Sequence, residues 1–372
     1  ASLSAANTVA LGSTQIAALE TTDLAALSTA NTQLLLSSQI AALSTAQLWA
    51  MGTLQMAALS TVQTAALTVD QLPTLAAAQI AALSSDVARA LSSDQIAVLS
   101  TSQLLGMRTS QIAAISTIGI AALTATQAAS LSSAAASALS TRQIAAVETE
   151  DLGALSTSAV RALGSAQLWA LSTDQIAALT TDQIVGLGTS QVSNLSTANA
   201  GALTATQLAA METADLVVLS TTNLQAIGTE QLIALLTSQV AALTTRQING
   251  LATLQLLALS TDQLVALSTT QASSLFTSRL VALSTDQLVA LSTEQIASLG
   301  SKQIASLLAE QISALTTDQV VGLSTAQAAA LATSQVIALS TTQLTSMEDA
   351  DLTALGTVQL QSLTTAQTVA LS

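Results

Sequence analysis

From Leu3 to Leu371 every eighth residue is Leu, Met, Ile or Val, and no insertion or deletion shifts that register anywhere in the 372 residues. The site four residues later is Gln in 33 of its 46 occurrences, among them Gln15, Gln39, Gln175 and Gln367. The residue after it is mostly Ile, Leu or Val, as at Ile16, Leu168, Ile176 and Leu288. Loops of a globular enzyme accept insertions, whereas stacked repeats are disrupted by them. The length would accommodate two or three ordinary domains. The unbroken register predicts instead a single octad-repeat array over residues 1–372.

Each octad reads as the start of a helix. In Leu171-Ser172-Thr173-Asp174-Gln175-Ile176-Ala177-Ala178, Ser172 is a good N-cap and Gln175 can return a hydrogen bond to the cap's backbone, as in a capping box. Leu171 before the cap and Ile176 at N4 form a hydrophobic staple. Asp70, Asp174, Asp182, Asp286 and Asp318 stand at N2, on the favourable side of the helix dipole. Ala177 and Ala178 favour helix. Leu179 then precedes the next cap, Thr180.

One straight helix is excluded by arithmetic. Eight residues advance roughly 800°, so the apolar pair drifts by roughly 80° per octad and no stripe survives. Heptad and hendecad supercoils are too far from this period to absorb it. The expectation is therefore an all-α solenoid of short capped helical turns, each bent at its Ser or Thr cap. Lone helices shorter than about 12–15 residues are marginal, so such pieces must stack on one another. The site three residues after the Gln site is mostly small (Ala18, Ala58, Ala178, Gly186, Ser298), which predicts close packing between adjacent turns. A β-solenoid is the competing architecture. It is disfavoured by the paired alanines, the low glycine content and a cap-to-Gln spacing that has no sheet explanation.

Irregular units mark where the pattern is stressed. The first copy has Asn7 and Thr8 in place of Gln and the apolar residue, and Asn31-Thr32-Gln33 is a weaker unit. Pro73, the only proline, stands at N5 and would break a continuous helix, although it can simply shorten a short one. Between residues 84 and 166, Val87, Gly119, Ala135 and Ala159 replace Gln, and Ala128 and Ala136 thin the apolar site. Softer packing is expected there. Residues 167–346 are the cleanest, apart from Asn199-Ala200 and Arg279. Trp49 and Trp169 share one register just beyond the apolar pair, as surface or inter-chain packing groups.

Half of the residues are apolar and 8% are charged, so the polar surface must come from Ser, Thr and Gln. The net charge is −14, and the seven basic residues (Arg89, Arg108, Arg142, Arg161, Arg246, Arg279, Lys302) form no cationic stripe to neutralise phosphates. Nucleic-acid binding is not expected. The absence of Cys removes disulfides and thiolate metal sites and fits an extracellular protein. His and Tyr are also absent, which removes the Ser-His-Asp, Cys-His and histidine–zinc chemistries. No Gly-rich phosphate loop occurs, since the glycines are single and several stand at the cap site (Gly12, Gly52, Gly164, Gly188, Gly356). The chain reads as a non-enzyme without a cofactor. No window reaches the roughly 18–20 apolar residues of a membrane-spanning helix. Ala1 follows no basic n-region, so any leader is expected to be removed or to lie upstream. Nothing at Leu371-Ser372 reads as a closing cap, so the array is expected to continue or to meet other subunits.

Four units stand apart. Glu occupies the cap site and Asp the Gln site in Glu20/Asp23, Glu148/Asp151, Glu212/Asp215 and Glu348/Asp351, each followed by Leu, and Glu150 and Asp349 add charge beside two of them. Hard carboxylate oxygens suit Ca²⁺, which makes these eight residues candidate calcium ligands. The alternative is a variant cap that also contributes solubility.

The phrases ALSTDQIAAL (170–179), ALTTDQIVGL (178–187) and ALSTTQL (338–344) resemble the low-complexity arrays of very large bacterial surface proteins of the adhesin-like, haem-utilisation-or-adhesion kind. The resemblance covers essentially the whole chain. It implies a stalk, sheath or filament at the bacterial cell surface. No histidine is present to ligate haem, and Met51, Met56, Met107, Met211 and Met347 stand in core register. The functional expectation is a structural extracellular protein, either a filament subunit or a surface spacer, that self-associates end-to-end or laterally. The alternative is an adhesin-type, ice-binding or carbohydrate-binding surface. That reading requires Thr173, Thr181, Thr261 and Thr285 to line one flat exposed face.

Overall fold

The computed structural model describes residues 4–372, and Leu3, the head of the register, lies outside the described residues. The chain forms two compact units, Ala1–Asn194 and Leu195–Ser372. Among the described residues there is no strand. Every octad carries a short helix such as Thr109–Ile112, Thr173–Ala178 or Thr261–Val265, and the single exception is a 3₁₀ turn at Leu72–Thr74. The helical alternative is the one adopted, as an all-α solenoid in each unit.

The local chemistry that starts each helix is visible at Ser172. Its backbone is extended (φ −70°, ψ 164°) and its hydroxyl accepts from the Gln175 N–H. Seven residues later Leu179 leaves helical dihedrals again (φ −60°, ψ 137°). The chain therefore turns each corner through an extended apolar–hydroxyl pair. Among the described residues no φ is positive. Corners made this way require no left-handed residue, which accounts for the scarcity of glycine.

Helices stack on the third helix along the chain. In the first unit Ala77–Ala82 packs on Thr101–Gly106 and Ala125–Ala129 on Thr149–Ala154. In the second, Thr197–Ala202 packs on Thr221–Ala226 and Thr325–Ala329 on Asp349–Ala354. Three octads thus make one turn, and structurally equivalent residues recur every 24 positions.

Both apolar sites of the octad point inward. Ile40, Leu43, Leu48 and Met51 are buried in the first unit, and Leu264, Leu267, Ile296 and Leu299 in the second. Full burial of each such side chain contributes about 1.5–3 kcal/mol, so an octad too short to hold its helix alone gains two anchors from stacking. The five methionines are buried as well. Where Thr32 and Thr64 take the apolar site, their hydroxyls bond to the carbonyls of Ser28 and Ser60 at 3.0 Å and so enter the core without an unpaired group.

The small site lies against the neighbouring turn, as its residue types predict. A Cβ on Gly186 would collide with the Thr157 methyl, one on Gly322 with the Thr293 methyl, and one on Gly250 would come within 2.7 Å of the Thr221 methyl. Pro73 shortens its helix to the 3₁₀ turn, while Gln71 keeps both its bond to Thr68 and its bond to Leu43. Trp49 and Trp169 lie on the surface.

Candidate functional site

The most consequential polar group is the Gln side chain, and its full role exceeds the capping box. Gln47 accepts from the Ser44 N–H through Oε1 at 2.8 Å. Its Nε2 donates to the Leu19 carbonyl at 2.8 Å and to Ile16 at 3.1 Å, at the end of the helix one turn back. The same arrangement joins Gln127 to Leu99, Gln183 to Leu155, Gln295 to Leu267 and Gln335 to Leu307, at 2.6–2.7 Å. One buried carboxamide therefore satisfies an orphan N–H at a helix start and an orphan C=O at the end of the helix stacked beside it. Capping logic alone missed the donor half of this bridge. A signal was present: a capping box accepts Glu as readily as Gln, yet Glu never occupies this site in the sequence. Only an amide can donate.

The departures from Gln follow. Asn223 is one methylene shorter and still reaches the Leu195 carbonyl at 3.0 Å. Arg279 instead bonds to the Thr253 hydroxyl at 2.7 Å. Val87, Gly119, Ala135 and Ala159 provide no donor, and with Asp151 the stretch 84–166 lacks a bridging amide in five of its ten octads.

In the acidic units the structure separates the two members of each pair. Glu148, Glu212 and Glu348 are exposed at their cap sites and make no side-chain cap bond. Asp151, Asp215 and Asp351 are buried, at 5%, 4% and 3% exposure, in the place of the bridging amide. Asp23 is exposed. Burial pushes the Asp151 carboxyl above its ordinary value, and the neighbouring Glu150 and Glu148 charges push it further. Asp215 is raised by burial and then by Glu212. An open recess of about 500 Å³ lies over Asp151, lined by Leu123, Thr124, Ala125, Glu148, Thr149 and Glu150.

The pairs are not assembled into one centre. Within the first unit Glu20/Asp23 and Glu148/Asp151 stand sixteen octads apart, which is not a multiple of three, so they face different sides. The same holds in the second unit for Glu212/Asp215 and Glu348/Asp351, seventeen octads apart. Among the described residues no three acidic side chains converge as a metal cage.

The threonines are likewise distributed by the three-octad turn. Thr261 and Thr285 differ by 24 positions and share a face, while Thr173 and Thr181 are adjacent octads on different faces. The one ion pair among the described residues is exposed, Arg89–Asp86 at 3.3 Å. Among those residues no helix is long and apolar enough to cross a membrane.

The sequence model of the ALTTAQ repeat matches residues 16–53, 144–181, 208–245 and 277–309. The matched stretches fall in both units and carry the octad described above. No curated protein matches the chain.

Proposed function

We propose that this chain is a non-catalytic structural element, a subunit of a repeat filament or a stalk-like spacer at a bacterial cell surface. One observation carries the reading: the polar residue that recurs most faithfully, Gln, is spent on joining one turn to the next. In Gln47, Gln127 and Gln295 both ends of the carboxamide are committed to backbone. Such a design multiplies a local bond along an array. The extracellular setting rests on the resemblance to bacterial surface arrays and on the lack of cysteine. Exposed apolar side chains at cap sites (Leu36, Leu236, Phe276, Leu308) and at Trp49 and Trp169 suit lateral association between copies.

A second reading has its own observation. In the second unit one face carries a hydroxyl pair at the cap and N1 sites in every turn, from Ser196-Thr197 through Thr244-Thr245 and Ser292-Thr293 to Thr364-Thr365. The other two faces keep such a pair only at Ser260-Thr261, Ser284-Thr285 and Ser324-Thr325. Caps such as Gly228, Ala252, Phe276 and Leu308 start helices there without a hydroxyl. The fold does not demand the column, which favours a carbohydrate-contacting surface.

Electron microscopy of the purified chain with circular dichroism on the same sample tests the leading reading. Uniform fibres with a helical spectrum support it. Isolated particles that co-sediment with an insoluble polysaccharide, and lose that property when the hydroxyl column is replaced by Ala, would favour the surface instead.

A further inference from the structure

The face of the first unit that carries both tryptophans has an order that reads nearly the same from either end. Every third octad from Leu43 to Leu163 contributes one helical piece to it, six in all: Thr45–Ala50, Leu72–Thr74, Ser93–Ala97, Thr117–Ala121, Thr141–Ala145 and Ser165–Trp169. Stacking joins them, through the Gln71 bond to the Leu43 carbonyl, the Gln95 bond to the Leu67 carbonyl and direct helix contacts beyond. Two residues past the Gln site, their outward column runs Trp49, Pro73, Ala97, Ala121, Ala145, Trp169. Two indoles, 65% and 64% exposed, thus stand at the ends of a floor of small apolar residues. On the other two faces of the unit the same column is broken, by Leu105 on one and by Arg89 and Arg161 on the other.

The charges on this face follow the same reversal. The site just before the Gln site runs Ala46, Asp70, Asp94, Ile118, Arg142, Ala166. Read backwards, it sets alanine against alanine and Asp70 against Arg142. A two-fold axis lying in the face, along the helices and between Ala97 and Ala121, reverses the order of turns and keeps each column over itself. An isologous contact requires a patch complementary to its own reversal. Here that operation brings Trp49 against Trp169 of the partner subunit, Asp70 against the partner's Arg142, and the alanine floors together, with exposed Ile118 beside the axis. Within the chain neither Asp70 nor Arg142 is paired, since the one ion pair among the described residues is Arg89–Asp86. We infer that this face is the docking surface for a second copy of the chain, packed antiparallel. The inference rests on the lateral association proposed above and gives it a defined surface. Packed helices lie about 8–10 Å apart and pieces of this length run about 9 Å, so six of them make a strip of roughly 50 by 9 Å. That is below the ~800 Å² per partner of a standard interface. The four indoles therefore carry the contact, and the dimer dissociates at roughly 10–100 µM.

With two Trp, no Tyr and one Phe, the emission of the chain comes from the surface in question. The test is sedimentation velocity with intrinsic fluorescence on the full chain, over about 1–200 µM to bracket the expected dissociation constant. The wild type should pass from monomer to dimer, and its emission should move to the blue as the indoles leave water. Asp70→Arg and Arg142→Asp each set like charges together twice across the axis, and each should weaken the dimer by about 10-fold or more. The double variant, Asp70→Arg with Arg142→Asp, sets opposite charges together again and should return to within about threefold of the wild type. Trp49→Ala with Trp169→Ala should abolish the dimer. All four positions are exposed, so every variant should keep the helical dichroism of the wild type. A wild type that stays monomeric throughout overturns this face and the lateral reading together. Larger assemblies that form equally in every variant overturn this face and leave the filament reading standing. A monomer whose emission shifts instead on addition of hydroxyethyl cellulose overturns it in favour of a polysaccharide ligand.

Discussion

The carboxamide of Gln263 donates to the Leu235 carbonyl at 2.8 Å and accepts from the Ser260 N–H at 3.0 Å, so one side chain closes the start of its own helix and the end of the helix one turn back. The bridge also sets a partially positive helix start beside a partially negative helix end. Helices of five or six residues can persist because both ends are closed by the same group.

Gln263→Glu keeps the acceptor and removes the donor. It places a carboxylate against the Leu235 carbonyl, and we expect a loss of about 2–4 kcal/mol at neutral pH, above the 1–3 kcal/mol typical of an unsatisfied buried neutral group. The loss should shrink on acidification, when the protonated acid can donate. Denaturant titration at pH 7 and pH 4 measures both; equal losses at the two pH values would contradict the bridge.

Replacing Gln263 by Ala should cost more than replacing Ser260 by Ala. A lost cap hydroxyl costs about 1 kcal/mol, and caps such as Ala252 and Ala332 form helices in this chain while Gln255 and Gln335 keep their bonds. Removing the carboxamide opens two backbone groups on two helices. Paired denaturant titrations of the single variants decide the order.

Gly186→Ala should destabilise although Ala favours helix over Gly by about 0.5–1 kcal/mol. The added methyl meets the Thr157 methyl of the adjacent turn, and overpacking of this kind costs about 1–3 kcal/mol. Thr157→Ser in the same background should return most of the loss. A double-mutant cycle with no coupling would show that the turns are not in contact there.

Stability should fall as pH rises through the raised Asp151 and Asp215 values. Both carboxyls hold their proton in the folded chain above the ordinary value of 3.8, through burial first and neighbouring Glu charge second. The folded state then binds more protons than the unfolded state between the ordinary and the raised values, so unfolding free energy decreases with pH across that window. The favourable contribution is complete below the ordinary value and lost above the raised one. Asp151→Asn with Asp215→Asn should flatten this part of a Tm–pH profile.

Hydrogen exchange should be fastest, among interior octads, between residues 84 and 166. Val87, Gly119, Ala135 and Ala159 supply no bridging donor, and Ala128 and Ala136 fill less of the core than Ile or Leu. Exchange as slow as in residues 253–299, where Gln255, Gln263, Gln271, Gln287 and Gln295 all bridge, would mean that the bridges contribute little.

The helical octad, its cap, its inward Leu and Ile pair and its small site are legible in the residue order, because each depends on residues within eight positions of one another. Ser172, Gln175 and Ile176 encode a helix start wherever that segment is placed. The number of octads per turn was decided only by stacking, and with it every partner 24 or 28 positions away. Gln263 cannot disclose in its own octad that its amide will meet Leu235, since that carbonyl is brought within reach by closure of the turn. The acidic pairs follow the same division. Their composition is legible along the chain, but the burial of Asp151 and Asp351 exists only once a second turn lies beneath them. Local hydrogen-bonding and propensity choose the unit, while burial of apolar area between turns chooses how the units meet.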